Sequence, residues 1–200
     1  MNATDNDIPK LAAPGAGLPF IELLIARLIF HSGRRRATRG LSTENFLREK
    51  TAVLELVQGC YEKQGAERVL IKRLPGLEDS SRYWSVFMTL DHLRIVNDAV
   101  AGVIDALCSG EIPARAASTA EVKPGVVVDR SIIADFETSC RRLEETVAKT
   151  ITFPSTPRFA HPWFGPMDAA AWHFLSGFHL RLHRKQIEAI LAGLKANNSR

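Results

Sequence analysis

The chain has 200 residues, 46% of them apolar and 24% charged, and a formal net charge of +4. This is enough apolar material for one ordinary domain with a sizeable core, and it excludes a disordered or collagen-like chain. The charge is modest and partly local, because Arg34, Arg35, Arg36 and Arg39 lie together in HSGRRRATRG. Such a cluster either meets phosphates or anionic lipid, or forms a solvated turn beside a helix end, where arginine complements the negative end of the dipole. No nucleic acid is expected as a partner, since no reading module is present and no aromatic residues interleave with the arginines. Cys60, Cys108 and Cys140 are an odd number without a CxxC pair, which fits buried thiols in a reducing compartment. The start, MNATDNDIPK, lacks the basic region of a secretory signal. The apolar stretch Leu18 to Phe30 is too short for a bilayer and carries Glu22 and Arg27. The expected location is the cytoplasm, with no transmembrane segment.

Helical periodicity dominates the chain, and an all-α fold follows. Residues 1–17, ending in LAAPGAG, read as a flexible or loosely docked arm. Residues 18–40 contain an amphipathic helix, PFIELLIARLIF, and the basic turn after it. This helix suits docking on protein, a dimer contact or a membrane surface, and its large apolar fraction favours burial against protein. A first long helix is expected from about Thr43 to Gln64, capped by Ser42 or Thr43, with Phe46, Val53, Val57, Cys60 and Gln64 on one stripe. The connection RVLIKRLPGLEDSSR follows, broken by Pro75 and Gly76, and its VLI triplet suits a short extended piece.

A second helix is expected over about Arg82 to Leu107, with Trp84, Met88, His92, Ile95, Ala99, Val103 and Ala106 at steps of three and four. The stretch EIPARAASTAEVKPGVVVD reads as a long crossover, with at most one short strand at 126–129. A third helix is expected from about Arg130 to Thr150, with Asp129 or Ser131 as cap and Ile132, Phe136, Cys140, Leu143, Val147 and Ile151 as its stripe. The loop FPSTPRFAHPWFGP is stiffened by prolines and packed with aromatics, and Asp168 then caps a last helix reaching about Leu194. No segment alternates strongly enough to build a sheet. The expected architecture is a four-helix bundle over residues 41–196, with a long crossover and an additional N-terminal amphipathic helix.

The last helix carries His179 and His183 on the face of its apolar stripe. Four residues of helix leave two side chains about 40° apart and about 6 Å along the axis, so two imidazole nitrogens can converge on one ion at about 2.1 Å. A third ligand should come from a facing helix. His92 meets that condition, on a stripe with Met88 and Ile95. Three neutral imidazoles with an open position make the arrangement of a catalytic rather than a sealed site, and their ring nitrogens should come within about 3–3.5 Å of one another. The alternative is three core histidines satisfied by backbone carbonyls or water. His173 should point away from the site, His161 either touches the pocket rim or packs in its loop, and His31 neighbours the arginines. Asp91 and Asp98 suit supporting or surface roles, and Cys140 a core position rather than a nucleophile. No phosphate loop, dinucleotide loop or serine-nucleophile elbow is present, so no catalytic residue or organic-cofactor site is assigned.

WSVFMTLDHLRIVN, from Trp84 to Asn97, and HLRLHRKQI, from His179 to Ile187, resemble the single-His second helix and the HxxxH-containing last helix of the DinB-like superfamily of metal-binding four-helix bundles. HPWFGPMDAAAW before the last helix is similar to one uncharacterised branch of that superfamily. The resemblance covers roughly Thr43 to Leu194 and rests on the three histidines, Trp84 and the HxxxHxxQ run. It implies that His92, His179 and His183 bind a divalent metal ion, zinc or nickel foremost. It also implies a homodimer, and in some relatives a thiol transferase or isomerase reaction with a low-molecular-weight thiol; hydrolysis of another small substrate is a further expectation. The contrasting expectation is a non-catalytic interaction module in which the histidines are packing or vestigial.

Overall fold

The computed structural model describes residues 9–150, 153 and 155–198. Residues 1–8 of the expected arm and Ile151 of the third stripe lie outside the described residues. Among those described, six α-helices and two small antiparallel ribbons form the chain in the order α1 (Phe20–Arg36), α2 (Arg39–Gln58), α3 (Glu62–Ala66), β1 (Val69–Leu70), β2 (Tyr83–Trp84), α4 (Val86–Cys108), α5 (Ile132–Lys149), β3 (Phe159–His161), β4 (Gly165–Met167) and α6 (Ala169–Asn198). The four long helices α2, α4, α5 and α6 make a four-helix bundle, in which α4 packs on α5 and α6, and α2 packs on α6.

The first and third expected stripes form the core, but the second is displaced round its helix: Ala99 is exposed and Ile95, Val103 and Ala106 are half-buried, while Leu90, Leu93, Val100, Ile104 and Leu107 make the buried face of α4. Phe46, Val53, Val57 and Cys60 of the first stripe are buried, as are Ile132, Phe136, Cys140, Leu143 and Val147 of the third. Several boundaries differ from the sequence reading, each for a local reason. Helix α2 starts at Arg39 because Thr38, not Ser42 or Thr43, is in extended conformation and its hydroxyl accepts from the Leu41 amide at 3.2 Å. It ends at Gln58, so Gln64 belongs to the separate short helix α3. Helix α4 starts at Val86 because Ser85 caps it, accepting from the Met88 amide at 3.1 Å. The residues before the cap are drawn into a ribbon, Val69 opposite Trp84 and Leu70 opposite Tyr83. The aromatic loop before α6 is a hairpin, Phe159 opposite Met167 and His161 opposite Gly165, whose turn needs the left-handed Gly165 at φ 74°. VVVD at 126–129 is not a strand. Asp168 caps α6, its carboxylate accepting from the Ala171 amide at 2.7 Å.

Arg34, Arg35 and Arg36 are the last turn of α1 rather than a turn beyond it. Arg39 reaches across to the end of α5, donating to the Thr150 carbonyl at 2.9 Å and to that of Val147, so it satisfies the C-terminal end of that helix. The described part of the N-terminal arm is docked: the Ala12 amide donates to Asp79 at 2.8 Å and the Gly15 amide to Glu78 at 3.3 Å. Burial of α1 against protein is the expectation that fails most clearly. Only Phe30 is buried on it, while Phe20, Ile21, Leu24, Ile25, Leu28 and Ile29 are exposed.

Where α2 crosses α6, Gly177 lets the backbones approach closely: a Cβ there would lie 3.2 Å from the Phe46 amide nitrogen, tighter than ordinary contact. This close approach lies two residues before His179 on α6. His173 faces the same α2 side, its Nε2 3.4 Å from the Thr43 hydroxyl and its ring edge-on to Phe153, while its Nδ1 is buried without a partner. Burial, reinforced by the charges of Arg39 and Arg34, pushes its pKa down to about 4. The unfolded imidazole takes its proton near 6.5, so the fold binds fewer protons than the unfolded chain between those values. The stability from this neutral ring is therefore present above about pH 6.5 and lost as pH falls toward 4. Urea unfolding between pH 7 and 4.5 should show a decline that His173→Leu reduces by at least about 1 kcal/mol; equal slopes for both proteins would rule this out.

Candidate metal centre

The Ser85 cap fixes the start of α4 and the Asp168 cap that of α6, and the packing of the two helices turns His92 toward His179 and His183. The three rings form one cluster with centroids 5.0 Å apart for His92 and His179, 4.5 Å for His92 and His183, and 4.4 Å for His179 and His183. The Nε2 atoms of His92 and His179 are 3.1 Å apart, inside the spacing expected of two ligands on one ion. One ligand nitrogen of each ring lies within 4.8 Å of the other two, a looser bound than the expected spacing.

Hydrogen bonds to the outer nitrogens decide what the inner ones offer. His92 Nδ1 lies 2.5 Å from the Val122 carbonyl oxygen, which can only accept, so Nδ1 carries the proton and the Nε2 lone pair faces inward to His179. His183 Nδ1 lies 2.7 Å from the Gln186 side-chain oxygen. The orientation of that amide is set in turn, because its nitrogen donates to the Ser81 carbonyl at 2.7 Å. His183 is thus also protonated on Nδ1, with Nε2 turned inward. This arrangement, with an outer N–H tied to an acceptor and an inner lone pair held in place, is the one that metal-ligating histidines need, and the donor set fits a divalent ion.

Burial keeps the rings neutral. It pushes the pKa of His92 down to about 4, with the neighbouring Lys123 charge adding to the effect against the Val122 hydrogen bond. His179 and His183 are also held well below the usual imidazole range, first by burial and then by the other histidines. Few protons have to leave before a metal binds at neutral pH. Trp84 closes one side, its ring nearly parallel to that of His183 at 6.3 Å and 5.2 Å from that of His92.

The cluster opens on a cavity of about 310 Å³. Val96, Val100 and Val103 of α4, Trp163 of the hairpin, and Trp172 and Leu175 of α6 contribute to its apolar wall. The charged groups on the wall are already paired. Lys123 reaches Glu78 at 2.7 Å and Arg115 reaches Glu121 at 2.7 Å. Burial raises the Glu78 carboxyl, but the bonds from Lys123, Thr119 and Gly15 more than offset it and hold it below its usual range. These bonds also pin the crossover over the bundle. His161 lines the same cavity, stacked on Phe164 at 4.9 Å, and its Nδ1 accepts from the Trp163 amide at 3.1 Å. Burial lowers its pKa to about 4, so it is neutral with its proton on Nε2.

Several residues lie away from the cluster. His173 faces α2, and His31 is exposed on α1. Asp91 is beside His92 in sequence but turns to the crossover, accepting from the Gly125 amide at 2.8 Å and pairing with Arg94, while Asp98 pairs with Arg142 at 3.0 Å. Cys140 is buried under Asn97, and burial raises its thiol to about 12, so it is no nucleophile at neutral pH. Val122 and Ser81 contribute backbone carbonyls, which no side-chain pattern signals. Gln186 sits one helical turn after His183 and was legible as a position of the inward stripe, Gln186 or Ile187, and as part of the HxxxHxxQ run. Among the described residues, no helix is long and apolar enough to cross a membrane.

No family model matches the chain, and no curated protein matches it. Among solved structures, the chain is similar to the crystal structure of TT2238, a four-helix bundle protein, with a TM-score of 0.56 and 18% sequence identity over 76% of this chain and 99% of that one. That likeness is one of fold: this chain, like TT2238, is a four-helix bundle.

Proposed function

We propose that the protein is a cytoplasmic metal-dependent enzyme of the DinB-like kind, with His92, His179 and His183 as the ligands of one zinc or nickel ion. The observation that carries the reading is the pair of outer hydrogen bonds, to Val122 and Gln186, that hold two inner Nε2 lone pairs beside His179 on an open cavity. A divalent ion bound there supplies Lewis acidity at an open position, which lowers the pKa of a small thiol or a water molecule toward neutrality. The protein's own groups do the rest. Val122, Gln186 and Ser81 fix the ring orientations, and Trp84 and the apolar wall keep bulk water from the cluster. His161 holds a proton on Nε2 at the same cavity, available to donate to a polar atom of the substrate. The apolar wall and the paired charges favour a substrate with an apolar body and one metal-binding head, processed by transfer, isomerisation or hydrolysis.

Untagged protein should carry about one equivalent of divalent metal, and His179→Ala combined with His183→Ala should remove it. Plasma mass spectrometry settles this; a metal content that the double substitution leaves unchanged sinks the reading. Gln186→Leu should keep the fold but weaken zinc about 10- to 100-fold in a chelator competition, because His183 loses the acceptor that sets its tautomer.

The substrate class has its own test in two simple probes. Zinc-loaded protein should bind octanohydroxamate at least about tenfold more tightly than acetohydroxamate, through the added methylenes. Equal affinities in a calorimetric titration would reject the apolar substrate while leaving the metal site standing.

A further inference from the structure

Helix α1 is fastened to the bundle along one side only. Phe30 is fully buried, stacked on Phe164 at 4.1 Å and edge-on to Phe174 and Phe178. Glu22 accepts from Arg73 and from the Gly76 amide at 2.6 Å, Arg27 donates to the Trp163 carbonyl at 2.5 Å, and Arg34 lies 3.5 Å from Asp168. These contacts recur along almost the full length of the helix, so it is held lengthwise against the protein.

The other side is apolar and free. Phe20, Ile21, Leu24, Ile25, Leu28 and Ile29 fall at i, i+1, i+4, i+5, i+8 and i+9, which at about 100° per residue is one continuous half of the helix. Phe20, Ile21 and Leu28 are each more than 70% exposed, at 74%, 71% and 72%. Scattered apolar residues on a surface need no explanation, but six contiguous large ones on a rigid helix do. No acidic side chain interrupts them, because Glu22 is the one carboxylate of α1 and it is turned to Arg73. The same free half ends in exposed Arg35 and Arg36.

We propose that this face is a membrane-surface anchor that lies flat in the headgroup region of an anionic bilayer. The apolar residues enter the boundary of the acyl chains, and Arg35 and Arg36 meet lipid phosphates. The polar side that an interfacial helix ordinarily turns to water is here replaced by the bundle itself, through Glu22, Arg27, Phe30 and Arg34. A second copy of the chain fits the charges less well. Two such faces paired in parallel bring the arginine ends together. Paired antiparallel, they set each arginine pair over the positive N-terminal end of the partner helix, whose carboxylate is already engaged by Arg73. An anionic surface satisfies both the apolar and the basic part of the face.

Flotation of the full-length protein tests this, with phosphatidylcholine vesicles against vesicles containing phosphatidylglycerol as well. The protein should float with the anionic vesicles and bind less as salt is raised. Leu24→Glu with Leu28→Glu should lower the bound fraction at least about tenfold, and Arg35→Gln with Arg36→Gln should abolish the preference for anionic lipid. All four side chains lie on the free half of the helix, so circular dichroism and the thermal midpoint should be unchanged; if the glutamate pair unfolds the protein, the glutamine pair still decides. Absence of the wild-type protein from both floated fractions overturns the proposal, as does binding that neither pair alters. So does a solution dimer that the glutamate pair converts to monomer, which would assign the face to a second copy.

Discussion

Three clustered imidazoles, two buried and the third half-buried at the cavity, are the constraint on which the rest of the molecule depends. The rings of His92 and His183 bring their nitrogens out of water, and a buried polar atom without a partner costs more than most single contacts return. The fold meets the demand for the outer nitrogens of His92 and His183 with Val122 of the crossover and with Gln186, itself tied to Ser81. The inner nitrogens have only each other and the cavity. A core built for packing alone would place carbon at these positions. Here both supporting bonds protonate the outer nitrogen and turn the inner lone pair toward the other rings, an arrangement that suits a shared electrophile.

The crossover is therefore part of the site and not a mere connection. It reaches His92 through Val122, the α4 surface through Gly125 and Asp91, and the turn before α4 through Lys123, Thr119 and Glu78. Glu78 gathers these contacts with the Gly15 amide of the N-terminal arm. Two segments without regular structure thus share one buried carboxylate, held ionised against the cost of burial by a lysine and neutral donors. The cavity wall owes its shape to this polar knot, while its inner surface stays apolar.

Much of this was legible in the sequence, for identifiable reasons. His179 and His183 share a face because helix geometry permits nothing else at a spacing of four, and the apolar stripe turns that face inward. The partnership of His92 with them needed the resemblance, since periodicity says which face a residue occupies but not which helix it meets. What stayed hidden has a common cause. Val122 and Ser81 act through backbone carbonyls, which every residue possesses. The two ribbons are too short to show a period, and the Thr38 cap was masked by the equally good caps Ser42 and Thr43 a turn later. His161 was read as a rim or loop residue, and it is both, because the hairpin folds the loop against the cavity.

Helix α1 was misread in a more instructive way. Its composition argues for burial, and one residue, Phe30, is indeed buried among Phe164, Phe174 and Phe178. Six large apolar side chains point outward because the charged residues share the docked side, Glu22 on Arg73, Arg27 on Trp163 and Arg34 on Asp168. This inversion also joins the two ends of the molecule's chemistry. Arg27 and Phe30 grip Trp163 and Phe164, and Trp163 and His161 form the cavity wall on the same hairpin. A lipid surface on the free half of α1 would connect to the hairpin through the helix itself, and Trp163 of that hairpin lines the apolar cavity. A substrate with an apolar body partitions into that surface, so the same property that suits it to the cavity would bring it to the protein.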